Sequence, residues 1–373
     1  MHLEPTDDQR ALRDSVREVL ARECPPSVVR ATVEKGTPAT ALWEQAVALG
    51  WTGLTLPEDR GGAGLGPLEV AVVAEELGWA AAPLPWLATV TQYAAVVAGA
   101  GTPEQAQPLL ARLLEGGTGT LAVSEDPIDL LPRLPAVQAE PTSAGWQLTG
   151  TKVAVVDAVT ADQFVVIAAV GPRLAAFVVP RADLQVVPVR CVDATRPWAM
   201  VLLAGVQVSP DCSLGDPGSA DTDAAVRRGL DLAVSALAAE SVGVCRALLS
   251  TTLAYVRVRE QFGRPVGSFQ AVQHRLVDAH LATERARACA TYSALCLAER
   301  SDQSALATAA AAVAAGDAAQ RVAGDALQAH GGIGYTWESD LHLWLKRARA
   351  NAALLGTPAA QRQRVADLLR LPA

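Results

Sequence analysis

The spacing of hydrophobic residues in the first third of the chain predicts helices. Near the N-terminus, hydrophobic residues recur three and four positions apart, as on one face of a helix: Leu12, Val16, Val19 and Leu20. Thr6, followed by two acidic residues, is a typical helix start because its hydroxyl can cap free backbone N–H groups. Further helical patterns run to about residue 118 and are interrupted by a Gly- and Pro-rich loop at 57–67.

The middle of the chain, from about 119 to 215, changes to short Val-rich runs. QFVVIAAV (163–170) and LQVVPV (184–189) are examples, and Gly, Pro and Asp punctuate them. Runs rich in β-branched residues between turn-forming residues are typical of strands. We therefore predict a compact β domain after the N-terminal helices.

Long helical patterns return after the linker-like segment 215–223. They cover about 224–259, 269–299, 302–330 and 339–354, with a short one at 359–370. The first is apolar around most of its circumference, which is typical of the central helix of a bundle. The sequence thus predicts a mainly α protein with a central β domain, divided into helical domain 1–118, β domain 119–220 and helical bundle 221–373.

Composition narrows the possible partners. The net charge is −8, and no basic run is longer than the pair Lys346–Arg347, so the electrostatic footprint of a nucleic-acid-binding protein is missing. The six Cys show no C-x-x-C spacing and His is sparse, which predicts reduced thiols and no metal site. That pattern suits the cytoplasm.

Neither the N-terminal segment nor the most apolar segment of the chain has the pattern of a signal peptide or a membrane span. The N-terminus is charged and amphipathic and lacks the apolar core of a signal peptide. The Ala-rich stretch from Ser304 is interrupted by Asp317, which favours a buried bundle helix over a membrane span. We therefore expect a soluble protein.

Two segments of the predicted bundle carry unusual chemistry. REQFGRPVGSFQ (259–270) places Arg259 and Phe262 at a helix break, with Ser268 as the expected N-cap of the next helix. An arginine can bind a phosphate bidentately and a phenyl ring can pack on a flat heterocycle, although a solvated Arg beside a core Phe would give the same pattern. QAHGGIGYTWE (328–338) has a Gly-rich turn that either approaches a ligand or only ends a helix.

Taken together, these two segments strongly resemble the acyl-CoA dehydrogenase family. The resemblance continues over nearly the whole chain, with the N-terminal segment 42–78 and GWQLTGTK (145–152) also similar to the family. It implies the family fold: an N-terminal α domain, a β-barrel domain and a C-terminal four-helix bundle. It also implies an FAD flavoprotein, an oxidoreductase that acts on the Cα–Cβ bond of an acyl-CoA thioester.

The resemblance assigns residues to a cofactor shared between subunits. Arg259 and Phe262 would hold the pyrophosphate and adenine end of the FAD whose flavin lies in the neighbouring subunit. Gln328, Gly331 and Gly332 would contribute hydrogen bonds to the same FAD. No metal ligand is implied.

The base that the family reaction needs is missing from both of its known positions. Most members place a Glu immediately before a Gly-Thr pair, where burial can raise its pKa toward neutrality. Leu355 occupies that position here, before Gly356 and Thr357, and Thr357 counts among the expected cofactor contacts. Other members carry the base 22 residues before the Tyr that precedes Arg-x-Gln-Phe-Gly, and counting back from Tyr255 reaches Ala233.

The chain's own flavin pocket departs from the family as well. Lys152–Val156 reads KVAVV where the family commonly has Lys-Thr-Trp-Ile-Thr/Ser. Ser124, Glu125 and Asp126 replace Thr-Glu-Pro, and the Gly-Ser-Asp expected after it is absent. The residues that match the family would contact the flavin cofactor of a neighbouring subunit. The residues that differ from the family would contact the flavin of this chain itself.

This asymmetry predicts that the chain is the non-catalytic partner subunit of a heteromer, a heterotetramer formed with a second acyl-CoA dehydrogenase subunit. The chain resembles the paired subunits that actinobacteria use in sterol side-chain breakdown. Fatty acids and steroids are both possible sources of the acyl group.

Two alternatives stay open. One is an active homo-oligomeric dehydrogenase with a relocated base. Glu240 is the candidate for that base, together with Asp231 and Asp157, although a structural pairing of Glu240 with Arg246 or with a neighbouring helix would also explain that acid. The other alternative is a flavin-free scaffold subunit.

Overall fold

The computed structural model describes residues 4–126 and 134–371 of the chain. The N-terminal part is helical: α1 (Asp7–Glu23), α2 (Pro26–Lys35), α3 (Thr40–Ala48), α4 (Pro67–Trp79), α5 (Ala94–Ala100) and α6 (Pro103–Leu114). Thr6 caps α1 as predicted, because its Oγ1 accepts the Gln9 N–H at 3.2 Å and the Gln9 Oε1 accepts the Thr6 N–H at 3.0 Å. A buried π-helical stretch, Leu87–Tyr93, precedes α5 and was not predicted.

The described part of the chain forms a central sheet of seven strands. They are β1 (Gly119–Ala122), β2 (Gln138–Thr142), β3 (Gly145–Val156), β4 (Gln163–Val170), β5 (Arg173–Pro180), β6 (Gln185–Val189) and β7 (Trp198–Val208). Their order is β1-β4-β2-β3-β7-β6, with β5 paired to β4. A register shift between Lys152 and Val155 interrupts the long β3–β7 ladder, and within it Ala154 takes a φ of +51°.

The C-terminal part contains five helices in the described range. They are α7 (Ala220–Val258), α8 (Gln270–Ala298), α9 (Ser304–His330), α10 (Leu341–Asn351) and α11 (Pro358–Leu368). The prediction of a mainly α chain with a central β domain is therefore confirmed. Ser268 is not the N-cap of α8, because its hydroxyl donates to Pro265 O at 2.7 Å, and α8 begins after Phe269 without a side-chain cap.

Helix α7 is the centre of the molecule, as its apolar circumference predicted. It packs against α4, α5, α8, α9 and α10. Gly78 and Gly243 let α4 and α7 approach closely, since a Cβ at either position would collide with a backbone carbonyl of the facing helix. Within the described residues α7 is long and apolar enough to cross a bilayer, but 89% of its most apolar window is buried in the protein. It is a core helix.

Candidate functional site

A short hairpin after α7 presents Phe262. The strands β8 (Glu260–Gln261) and β9 (Arg264–Pro265) are joined by Phe262 and Gly263, which have φ values of +55° and +74°. A two-residue turn with positive φ at both positions matches the twist of the flanking strands. Phe262 thus stands at the hairpin tip, where it is 91% exposed although positive φ is unusual for a bulky residue.

The Gly-rich turn lies beside the start of that hairpin. Gly331 ends α9 with a φ of +63°, and Gly331–Tyr335 continue as one short 3-10 turn. Arg259, Gly331 and Gly332 line one cleft of about 530 Å³. The Tyr255 ring stacks on His330 at 4.4 Å beneath it, and thereby joins the end of α7 to the end of α9.

The residues predicted to face a neighbour's cofactor are therefore at the surface. Arg259 is exposed and forms no ion pair within 4–126 and 134–371. Gln328 is exposed at the end of α9, while Phe262 projects from the hairpin and is not among the cleft-lining residues. A guanidinium that has no ion pair in the described part of the chain, beside the Gly331–Gly332 backbone, suits a phosphate, so this surface fits one end of a dinucleotide.

The residues on the other side of the predicted cofactor are buried within the chain. Ser124 is 3% exposed, and its carbonyl accepts the Val153 N–H at 2.8 Å. Lys152 is fully buried; its Nζ donates to Glu125 Oε1 at 2.6 Å and to Val123 O at 3.1 Å. Burial lowers the pKa of Lys152 to about 8, against the opposing effect of Glu125. These contacts join β3 to the segment that follows β1, so the polar groups are paired within the chain.

Leu355 is enclosed by apolar side chains. It is 5% exposed and has a φ of +54°, and its carbonyl accepts the Gln361 Nε2–H at 2.8 Å. The Thr357 hydroxyl accepts the Ala360 N–H at 3.3 Å and caps α11. The cavity beside Leu355 measures about 20 Å³, enough for about one water molecule. An acyl chain has no room there.

Glu240 lies in a buried cluster of charges that joins three parts of the fold. Arg196 Nη2 donates to both of its carboxylate oxygens at 2.6 and 2.7 Å, and Arg347 Nη1 donates to Oε1 at 2.7 Å. Arg347 also donates to Asp193 Oδ2 at 2.5 Å, and Arg196 to Asn351 Oδ1 at 2.8 Å. Nothing in the local sequence signals these pairs, because their members lie 44 to 155 residues apart.

The partners of Glu240 favour a structural role over proton transfer. Burial alone would raise the pKa of its carboxyl, but Arg196 and Arg347 outweigh burial and hold that pKa below its usual range. Of the two structural pairings expected for Glu240, the one with Arg246 was wrong, since Arg246 donates to Glu75 at 2.7 Å and to Glu76 at 3.0 Å. The other, with a neighbouring helix, is confirmed by Arg347 of α10. The role of Glu240 as a base stays a prediction that these contacts disfavour.

The other two acidic candidates differ from each other. Asp231 is ion-paired with Arg364 at 2.5 Å. Asp157 is the one acid near this cluster with a buried oxygen, Oδ2, that lacks a hydrogen-bond partner among the described residues. Burial raises the pKa of Asp157 to about 7, although Arg196 and Arg347 oppose the shift.

The sequence of both helical parts matches a known family of proteins. The acyl-CoA dehydrogenase N-terminal domain matches residues 6–117, and the C-terminal domain matches residues 224–369. The chain therefore belongs to the acyl-CoA dehydrogenase family, whose members are oxidoreductases that act on acyl-CoA thioesters.

Several relatives are similar over almost their whole length. Acyl-CoA dehydrogenase IpdE2 of Mycobacterium tuberculosis is 33% identical over 358 residues, which are 95% of each chain. The structure of the ChsE4–ChsE5 complex from Mycobacterium tuberculosis matches with a TM-score of 0.91 and 29% identity over the full length of both chains. A variant of the Tcur3481–Tcur3483 steroid ACAD matches with a TM-score of 0.88 and 30% identity over 98% of each chain.

Proposed function

We propose that this chain is the non-catalytic partner subunit of a heteromeric, FAD-dependent acyl-CoA dehydrogenase. It would lend Arg259, Phe262, Gln328 and the Gly331–Gly332 backbone to FAD held mainly by a catalytic subunit. The observation that carries the proposal is the difference in accessibility between the two half-sites: one is exposed and open, and the other is buried and filled.

The open half-site has the chemistry of a cofactor contact. The exposed guanidinium of Arg259 would bind a phosphate, and the glycines allow close backbone approach to it. The exposed ring of Phe262 would gain a partner for its open face in an assembly, because among the described residues its ring contact is an edge contact with Phe269 at 6.2 Å. Both features suit a ligand shared with a second subunit.

The closed half-site lacks the groups that the reaction needs. FAD, when bound, supplies the hydride acceptor for oxidation of the thioester's Cα–Cβ bond, and a base must remove the α-proton. Leu355 and Ala233 cannot take a proton, and the space beside Leu355 is too small for an acyl group. This chain would therefore support chemistry that takes place in its partner.

Two of the similar structures support a paired assembly, and one of them also supports a steroid-derived substrate. One is a complex of two different chains, and the other is described as a steroid ACAD with two named chains. We extend that arrangement to this chain and propose a heterotetramer acting on a bulky acyl-CoA thioester. The cytoplasmic location and the three domain boundaries remain predictions.

The test compares two arginines at the end of the same helix. The chain would be co-expressed with the adjacent acyl-CoA dehydrogenase gene product, and bound FAD would be measured for the wild type, Arg259→Gln and the control Arg257→Gln. Both side chains are exposed, so neither variant should unfold the protein. We expect a yellow complex with about half an FAD per chain, lost in Arg259→Gln and retained in Arg257→Gln.

Two other outcomes would contradict the proposal. One FAD bound by the purified lone chain, and bleached by an acyl-CoA, would identify an active homo-oligomer. Asp157 favours an active homo-oligomer as the second candidate function, because its pKa of about 7 is suited to a general base. A stable complex without flavin would identify a scaffold subunit.

A further inference from the structure

A cluster of side chains outside the cofactor cleft ties α2 to the Gly-rich turn. Trp337 Nε1 donates to Glu34 Oε1 at 2.8 Å, and Arg30 forms ion pairs with Asp340 at 2.7 Å and with Glu34 at 2.9 Å. The Trp337 ring stacks on His342 at 4.3 Å. We call these five residues the Trp337 clasp.

The indole of Trp337 is held by its ring as well as by its N–H group. The His342 ring lies nearly parallel to it, with an angle of 17° between the planes. Lys346 Nζ lies 4.5 Å from the centroid of the indole, and such a cation–π contact is worth ~0.5–1 kcal/mol at an exposed site. The ring is half exposed, yet its orientation is defined by three separate contacts.

The Gly-rich turn is held at both ends and by one packed residue between them. A Cβ added at Gly331 or Gly332 would meet no atom within 4 Å, so these two positions face open space, whereas Gly334 is buried against α9. At one end the Gly331 N–H donates to Leu327 O of α9. At the other end the Thr336 N–H and hydroxyl donate to Ile333 O at 3.1 and 3.0 Å, and the next residue is Trp337.

We propose that Trp337 is a positioning residue, and that the clasp sets the backbone of Gly331–Tyr335 for the FAD shared with the partner subunit. Helix α2 thereby contributes to cofactor binding although none of its residues lines the cleft. This inference rests on the proposed function. It adds the N-terminal helical region to the groups that determine FAD affinity.

The first test uses a second tryptophan as a matched control. Trp43 Nε1 donates to Gly116 O at 2.9 Å, away from the turn. Trp337→Phe and Trp43→Phe each remove one indole hydrogen bond and keep an aromatic ring. In the co-purified complex we expect Trp337→Phe to raise the Kd for FAD about tenfold, the effect of losing one hydrogen bond to a charged group. Trp43→Phe should leave that Kd unchanged.

The second test uses pH, because His342 has charged neighbours on both elements of the clasp. Both of its ring nitrogens are buried without a partner among the described residues. Burial, Lys346 and Arg30 lower its pKa, against Asp340 and Glu34, which raise it. Protonation would therefore disfavour the clasp, so FAD affinity should fall as the pH is lowered below the ordinary histidine range. In His342→Phe, which keeps a ring and cannot titrate, this decrease should disappear.

The outcomes separate the clasp from the function on which it rests. A wild-type complex without FAD would overturn the proposed function before any variant is compared. An FAD-loaded complex in which Trp337→Phe and Trp43→Phe bind FAD equally well would overturn the clasp alone. Equal acid dependence of FAD binding in the wild type and His342→Phe would also overturn the role of the clasp.

Discussion

Replacing Glu240 by glutamine distinguishes a structural acid from a catalytic base. The carboxylate is buried and neutralises two buried guanidinium groups, those of Arg196 and Arg347. Glutamine keeps the shape but removes the carboxylate that pairs with Arg196, while Arg347 keeps its ion pair with Asp193. Removing one partner of a buried ion pair costs about 3–5 kcal/mol, so we expect Glu240→Gln to destabilise the fold by that amount.

The expected change in melting temperature follows from the size of the chain. At ~2.1 cal/mol/K per residue, a chain of 373 residues unfolding as one unit has an entropy of unfolding of about 0.8 kcal/mol/K. The Tm should therefore fall by roughly 4–6 °C, measured by circular dichroism at pH 7. Since Arg196 and Arg347 hold the pKa of Glu240 below its usual range, its stabilisation is present above that range and is lost as the pH falls through the folded pKa. The difference in Tm between Glu240→Gln and the wild type should therefore become smaller as the pH is lowered.

Glu76→Gln is the control for this measurement. Glu76 is also buried between two arginines, but Arg17 is 41% exposed and water can solvate it when the carboxylate is lost. We expect a decrease in Tm less than half as large. If Glu240→Gln has the same Tm as the wild type but abolishes acyl-CoA-dependent reduction of a dye, Glu240 is a base and the structural argument is refuted.

Three further variants test separate parts of the structure. Asp157→Asn should be more stable than the wild type at pH 8. Burial raises the pKa of Asp157 to about 7, so the wild type loses stability as the pH rises from about 4 to 7, whereas the variant cannot ionise at this position. Equal pH profiles of Tm for the two proteins would contradict this. Phe262→Ala should keep the Tm of the lone chain within about 1 °C of the wild-type value, since the ring is 91% exposed. The same variant should lower FAD retention in the complex. A large loss of stability without loss of FAD would count against a cofactor role. Leu355→Glu should lower the free energy of unfolding by several kcal/mol without creating activity in the lone chain, because the site is buried. Leu355→Met should cost less than about 1.5 kcal/mol. Turnover by Leu355→Glu would show that this chain has a functional pocket of its own.

Local periodicity was sufficient to predict the order of the elements. The α7 pattern, expected at about 224–259, is a helix over Ala220–Val258, and its role at the centre followed from its nearly uniform apolar surface. Side-chain pairing was harder to predict. Arg246 is close to Glu240 in sequence, yet it faces α4, while the true partners of Glu240 come from the β domain and α10.

The candidate site was predictable where its residues are consecutive. Arg259 to Phe262 and Gln328 to Gly332 are compact motifs, and the structure places Arg259 and the glycines in one cleft. No local pattern signalled the Trp337 clasp, because Glu34 and Trp337 are 303 positions apart. Nor could the sequence show that the space beside Leu355 is closed, since cavity volume depends on the packing of four helices at once.

The exposed hairpin also bears on how the cell must produce this protein. Phe262 and the nearby Val258 and Tyr335 are at least 77% exposed in the isolated chain. Apolar groups of this kind bind chaperones and proteases or promote aggregation when no partner covers them. If the proposed heteromer forms, synthesis of this chain in excess of the second subunit would be wasteful, and we expect the two subunits to be made in matched amounts, with unassembled copies removed by quality control.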